Sequence, residues 1–243
     1  MMTTSRSSTS RPREATDTGN GAGAQLGPTS WPLLDNAGQA LSQAPLRRLP
    51  AQQRSMVRVQ RMLDACAELL DEVGYDELST TRIAERANVA IGSVYQFFPD
   101  KKAITQALGL RYLDMFSSRV TDRLAQGGFS HWSEAVDVII DEYLDMHRNV
   151  PGFRSLHFGD AVDIRLFDPN NDNNQVIAAR LRDLLISIAG AEESTELDRA
   201  ITVAVESADA VLKLAFRCDP EGDRHLIDET KLLLRSYLGR HFA

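Results

Sequence analysis

Five histidines, two cysteines and thirty-four aspartates and glutamates are the chain's stock of metal ligands, nucleophiles and general acids. Their spacing forms none of the common catalytic arrangements. There is no phosphate-binding glycine loop, no Gly-x-Ser-x-Gly elbow, no His-Glu-x-x-His pair and no paired Glu-x-x-His helices. An enzyme is not expected, and neither is a cofactor. His157, Asp160 and Asp163 recur at three, with Asp141, Asp145 and His147 nearby, so an oxygen and imidazole metal site is conceivable. A solvated face explains the same spacing better, and no metal is expected. Cys66 and Cys218 lie far apart without a Cys-x-x-Cys partner, and Cys66 sits in an apolar helical stripe, where a thiol acts as a small hydrophobe.

Two stretches carry side chains suited to binding rather than bond-making. Between Ser79 and Lys101 the hydroxyls of Ser79, Thr80, Thr81, Ser93 and Tyr95, the amide of Gln96 and the ammonium of Lys101 fall within a few turns of one another. Farther on, Trp132, Tyr143, Met146, His147, Phe153, His157 and Phe158 could line an apolar cavity with a few polar anchors, although ordinary core packing accounts for most of them equally well.

The elements that must position these groups are helical. From Arg54 the apolar residues Val59, Met62, Leu63, Cys66, Leu69, Leu70 and Val73 recur at three and four, predicting a helix that Gly74 stops. Its first half carries Arg54, Arg58 and Arg61 and its second half Glu68, Asp71 and Glu72, an order that opposes the helix dipole. A nearby phosphate would offset that penalty. Ser79 is a good N-cap, and Leu78 with Ile83 has the spacing of a hydrophobic staple. Asn88 tolerates the left-handed backbone that ends a short helix, Ala90 to Phe97 form the next, and Asp100 caps another ahead of Lys101. Two short helices joined by a tight turn, with Ala84, Val89 and Val94 at the close approach, describe a helix-turn-helix.

Beyond Ile104 a long helix reaches about Leu124, Gly127-Gly128 breaks it, and helices are predicted over Ser133–Arg148, shortly after Pro151, and over Gln175–Ala189, Thr195–Arg217 and Arg224–Arg240. Phe167 to Asn174 reads as a loop. No strand alternation competes, so the fold class is all-α. Residues 1–48, rich in Ser, Thr, Gly, Gln and Ala, read as a disordered arm in which Trp31 to Leu34 and the pair Arg47, Arg48 could dock transiently or reach along a DNA groove, although a solvated tail explains them better.

The run RMLDACAELLDEVGYDELSTTRIAERANVAIGSVYQFFPDKKAI, Arg61 to Ile104, resembles the N-terminal domain of TetR/AcrR-type bacterial transcription regulators. The resemblance implies an N-terminal three-helix DNA-binding domain over residues 49–104 and a C-terminal helical bundle over 105–243 for effector binding and dimerisation. Ala90 through Gln96 would be the recognition helix in the major groove. Gly92 would allow close approach, Ser93 and Gln96 would offer hydrogen bonds to base edges, and Ile91 could touch a thymine methyl. Tyr95, Lys101, Ser79, Thr80 and Thr81 would contact phosphates. Ala90 departs from the family's usual Ser or Thr cap, at a cost of about 1 kcal/mol. The last two helices would pair in a homodimer through stripes including Ile201, Val205, Ala208, Val211, Leu212 and Ala215, then Ile227, Leu232, Leu234, Tyr237 and Leu238. A dimer implies a pseudo-palindromic double-stranded DNA operator, and a repressor released by a small-molecule effector is the expected activity.

A net charge of −7 argues against a non-specific nucleic-acid binder. The acid, however, is concentrated beyond Ile104, where the balance is −8, against −1 for Ala51–Ile104. No apolar run approaches the roughly 18 residues of a membrane helix, so no membrane association and a cytoplasmic location are expected. The alternatives are a dimeric helical interaction protein that has lost DNA binding and, less favoured, a small helical enzyme.

Overall fold

The computed structural model describes residues 44–48, 50, 52–126, 132–157, 173–189 and 192–241. The glycine pair at 127 and 128, Phe158, Asp160, Asp163 and most of the arm and of the 167–174 loop lie outside them. Among the described residues the chain runs α1 Gln53–Glu77, α2 Thr80–Arg86, α3 Ile91–Phe97, α4 Lys101–Ala125, α5 Trp132–Asn149, α6 Phe153–His157, α7 Asn173–Ala189, α8 Thr195–Cys218 and α9 Arg224–Leu238, with no strand. No helix among them is long and apolar enough to cross a membrane.

The local stop and start signals operate as side-chain chemistry dictates. Ser79 Oγ accepts from Arg82 N at 3.2 Å, and Asp100 Oδ1 accepts from Ala103 N at 2.8 Å, each satisfying one of the orphan donors at a helix start. Leu78 and Ile83, the staple pair, are both buried. Asn88 has φ +52°. Ala90 caps α3 with no side-chain bond. Gly74 differs from expectation: it takes φ +72° and ψ 177°, breaking the helical path, yet the chain resumes one more turn through Tyr75 to Glu77. Val73, just ahead of the break, is exposed instead of completing the apolar face. Asn173 and Asn174, read as loop, begin α7.

Two apolar cores result. Val59, Met62, Leu63, Cys66, Leu69 and Leu70 of α1 pack with Ile83, Val94 and Phe97 of the helix-turn-helix and with Ile104, Leu108, Tyr112 and Phe153. The second core joins Val136, Ile140 and Leu144 of α5 with Leu197, Ile201, Leu212 and Ala215 of α8 and Ile227, Leu234 and Leu238 of α9. Helix α4 belongs to the first core along its length and runs unbroken through the 104/105 boundary expected between domains.

The α5–α6 turn is seated on α1. Gly152 has φ +74°, and a Cβ there would lie 2.8 Å from both Cα and O of Ala67, so only glycine fits. Its N–H donates to Asp71 Oδ2 at 2.8 Å, Ser155 Oγ donates to Leu70 O at 3.1 Å, and the Tyr112 hydroxyl donates to Pro151 O.

Candidate functional site

The helix-turn-helix presents one face outward by burying the other. In α3, Val94 and Phe97 are fully enclosed by the first core, whereas Ile91 and Tyr95 are 40% and 45% exposed and Gly92 and Gln96 are exposed with them; Ser93 is half-buried. A Cβ built on Gly92 meets nothing within 4 Å. The fold therefore has no internal need for glycine there, and its bareness matters only to something approaching from outside. Thr80, in the first turn of α2, and Tyr95 of α3 meet with Oγ1 and the phenol oxygen 3.0 Å apart. One hydroxyl donates to the other, which leaves a second proton for an external acceptor such as a phosphate oxygen. Thr81 is exposed beside them, Ala90 is exposed ahead of Ile91, and Ser79, half-buried, is occupied as the α2 cap.

Lys101 is arranged differently from a free phosphate clamp. Its ammonium donates to Tyr75 O at 3.0 Å and Asp76 O at 3.2 Å and lies 4.6 Å above the Tyr75 ring. The turn that Gly74 adds to α1 supplies those carbonyls, so Lys101 locks the end of α1 to the start of α4. The α2 cations are also engaged. Arg86 pairs with Glu72 at 2.6 Å and Glu68 at 3.1 Å, and Arg82 donates to Glu77 O at 2.9 Å. The Arg86 hydrogen bond holds the Glu72 carboxyl below the usual carboxylate range.

An apolar cavity of about 90 Å³ opens between α4, α5, α6, α7 and α8. Of the predicted pocket residues it is lined by Tyr143 and Phe153, whose rings meet edge to face at 5.8 Å, and not by Met146 or His147. Met146 is fully buried in the first core, and His147 is buried and stacked on Phe216 at 3.5 Å. Their side chains turn away because α5 packs on both cores and only one of its faces meets the cavity. Trp132 and His157 end their helices with side chains outside the described part, and Phe158 lies beyond it. The lining that sequence reasoning missed comes from Tyr112 and Phe116 of α4, Ile177 and Leu181 of α7, and Val205 and Leu212 of α8. Each pair is spaced four or seven apart on an apolar helix face, a signal that marks burial but not which buried face borders a void. Polar lining comes from Asn174 and Asp209, which are joined at 3.3 Å; Asp209 also takes Lys213 Nζ at 2.7 Å. Burial, with Asp209 adding to it, holds the Tyr143 phenol well above its usual range.

The two free cysteines differ in setting, Cys218 being exposed and Cys66 buried. Cys66 is completely buried, and burial pushes its thiol up to about 12, so it carries no reactive thiolate near neutral pH. Among the described residues no group of His, Cys, Asp and Glu is placed to hold a metal ion.

The predicted dimer stripes divide when placed in the fold. Ile201, Val205, Leu212, Ala215, Ile227, Leu234 and Leu238 are inside the monomer's own second core, because α8 and α9 pack first on each other and on α5. What they leave outside is Val203 and Leu214 on α8 and Leu232 and Leu233 on α9, between 39% and 56% exposed.

Comparison with known proteins bears on both halves. Residues 62–108 match the sequence profile of the bacterial regulatory proteins, tetR family, and residues 130–242 that of the tetracyclin repressor-like C-terminal domain. A TetR-family transcriptional regulator from Streptomyces coelicolor is 45% identical, with a TM-score of 0.66, over 75% of this chain and 98% of that one. A TetR transcriptional regulator from Rhodococcus sp. RHA1, 20% identical with a TM-score of 0.54 over 77% and 97% of the two chains, shares the fold. The HTH-type transcriptional repressor KstR of Mycolicibacterium smegmatis is 38% identical over 72 residues, which is 29% of this chain and only 34% of that repressor. The profiles on both halves and the similarity that spans 98% of the Streptomyces regulator show that the chain belongs to the TetR family of bacterial transcription regulators.

Proposed function

We propose that the protein is a homodimeric, sequence-specific repressor that binds a pseudo-palindromic DNA operator through α2 and α3 and is released when a small-molecule effector enters the α4–α8 cavity. Residues 49–104 serve DNA, residues 105–243 serve effector and dimer contacts, and residues 1–48 precede both. The observation that carries the reading is α3 itself: a seven-residue helix locked on one side by Val94 and Phe97 that shows solvent Ile91, a sterically bare Gly92, Tyr95 and Gln96. Such a face suits base edges in a major groove, with Gln96 able to pair two-pronged with adenine, Ser93 to add a hydrogen bond and Ile91 to meet a thymine methyl. The Thr80 and Tyr95 hydroxyls suit a phosphate.

Dimerisation is supported by the four exposed large apolar residues on α8 and α9. They share the outer side of the two helices whose inner sides form the second core, and burial of such a patch is favourable. Coupling is supported by the α5–α6 turn. Phe153 and Tyr112 line the cavity, while the adjoining Pro151, Gly152 and Ser155 hold Tyr112, Asp71 and Leu70. A ligand that displaces Phe153 must shift the same turn that positions α1, and through α1 the spacing of the two recognition helices.

The test is enrichment of fragmented DNA from the source genome by the purified protein, with recovered fragments sequenced and their affinities measured at two salt concentrations. A recurrent palindromic site bound far above bulk DNA is expected. A folded dimer that enriches nothing overturns the reading and points to an interaction protein.

A further inference from the structure

From Asn36 to Leu63 the chain has no acidic residue and five arginines, in a protein whose net charge is −7. The described part of this segment is fixed to the recognition helix. Arg47 N donates to Phe97 O, at the last residue of α3, at 2.8 Å, and Ala44 and Leu46 pack against the first core. Arg47 and Arg48 are therefore exposed beside the C-terminal end of α3, and exposed Arg54 follows in the first turn of α1. None of the three pairs with a carboxylate among the described residues. The cations inside the helix-turn-helix are the opposite case, since Arg82, Arg86 and Lys101 are each tied to groups of α1.

We propose that Arg47, Arg48 and Arg54 form a second, sequence-independent edge that grips duplex phosphates flanking the half-site read by α3. It rests on the DNA-binding reading above. Binding a polyanion requires cations free to displace its counterions, and those of the motif are engaged in holding the motif together. Arg47 and Arg48 are next to the end of α3, held there by a main-chain hydrogen bond that no side-chain change removes, and Arg54 follows in the first turn of α1. Phosphate contacts of this kind set affinity and register and carry no base information. The two surfaces then divide the work: α3 supplies discrimination and the arginine edge supplies attraction.

The experiment measures affinity against salt for the full chain on a random-sequence 40-base-pair duplex and on a recovered genomic fragment. The variants are R47A/R48A/R54A, R47K/R48K/R54K and R199A/R240A. The last pair removes charge from the start of α8 and the end of α9, which Glu196 and His241 hold together at 3.3 Å. That end lies the length of α8, roughly 36 Å at 1.5 Å per residue, from the α8–α9 turn that Arg148 of α5 touches. The alanine triple variant is expected to lower the slope of log affinity against log salt by roughly 2 to 3, at about 0.9 per lost phosphate contact. It should weaken both duplexes by the same factor, and the lysine variant should retain the slope. An unchanged slope in the alanine variant, with operator preference intact, overturns the edge and leaves the regulator reading standing. An equal loss in R199A/R240A also overturns it, by showing a bulk charge effect. A wild-type chain that binds both duplexes equally overturns the regulator reading instead.

Discussion

The face carried by α2 and α3 draws its polar groups from one short run, Ser79 to Lys101, whereas the cavity gathers its lining from five helices between Tyr112 and Leu212. The first is written in local signals: an Ser79 cap, an Asn88 turn and an Asp100 cap fix the two helices, and the i, i+3 pair Val94 and Phe97 decides which side of α3 turns in. The second exists only once α4 through α8 are packed, and its members share nothing in sequence but apolarity. A surface specified locally can change its contacts residue by residue without disturbing the core. A cavity specified by packing is instead coupled to whatever moves its walls, which suits the one to reading a fixed partner and the other to responding to a variable one.

The joint between the two regions should give the largest effect. Gly152→Ala adds a Cβ 2.8 Å from the Ala67 main chain at a left-handed φ, and neither backbone can yield cheaply. A loss of about 2 to 4 kcal/mol is expected in urea unfolding. Gly222, also left-handed, has only the Phe216 and Ile227 side chains within 3.2 Å, and Gly222→Ala should cost about half as much. Equal losses would mean that the α5–α6 turn is not seated on α1 more tightly than an ordinary helix junction.

Next in size is the removal of Tyr95 and Lys101 together. Tyr95→Ala deletes the exposed hydroxyl paired with Thr80, and Lys101→Ala releases the Tyr75 and Asp76 carbonyls that lock α1 to α4. At about 1.5 to 3 kcal/mol for a charge-assisted contact, operator affinity should fall roughly 100-fold while sedimentation still reports the wild-type assembly. The single variants sharpen this. Because Lys101 is engaged inside the protein, Lys101→Ala should lower thermal stability as well as affinity, whereas Tyr95→Ala should lower affinity alone. A Lys101→Ala variant as stable as wild type would return Lys101 to the role of a free phosphate clamp.

That difference shows where the sequence stops being legible. Residue type and spacing mark Lys101 as a cation at a helix start, and its family resemblance implies a phosphate, but its actual partners depend on Gly74 bending α1 and continuing it one turn, which no periodicity reveals. The cavity is harder still. Tyr143 and Phe153 are legible as large side chains clustered around the middle helices, but Met146 and His147 carry the same signal and are turned into the core. Which face of α5 borders the void is set by how α7 and α8 pack, a long-range outcome. The dimer stripes failed to separate for the same reason. Apolar periodicity on α8 reports burial against anything, and only the packed monomer distinguishes Ile201, inside, from Val203, outside.

The cavity can be tested without knowing its ligand. Ala208 lines it, whereas Ala215 is fully enclosed in the second core. Ala208→Phe places a ring in existing space and should leave stability within about 1 kcal/mol of wild type; Ala215→Phe overpacks and should cost about 1 to 3 kcal/mol. Both are read by denaturant unfolding. If the two cost the same, the space between α4 and α8 is not available to a ligand in this conformation, and the contrast between the proposed reading face and the proposed effector cavity loses its second half.

The smallest effect belongs to the reading face and runs in the stabilising direction. Ala90 starts α3 with extended backbone, φ −65° and ψ 139°, and its side chain accepts no bond from the first turn. Ala90→Ser supplies an oxygen at the correct position for that turn, and a gain of about 0.5 to 1 kcal/mol is expected in thermal unfolding. The gain should be confined to stability if Ala90 only begins the helix. If Ala90 instead meets DNA, as its exposure ahead of Ile91 permits, the hydroxyl alters operator affinity at one flanking base while leaving the salt slope unchanged, since it adds no charge. Affinity measured on the same fragment separates the cases, because a capping effect leaves it at the wild-type value and a base contact moves it, even though one side chain makes both.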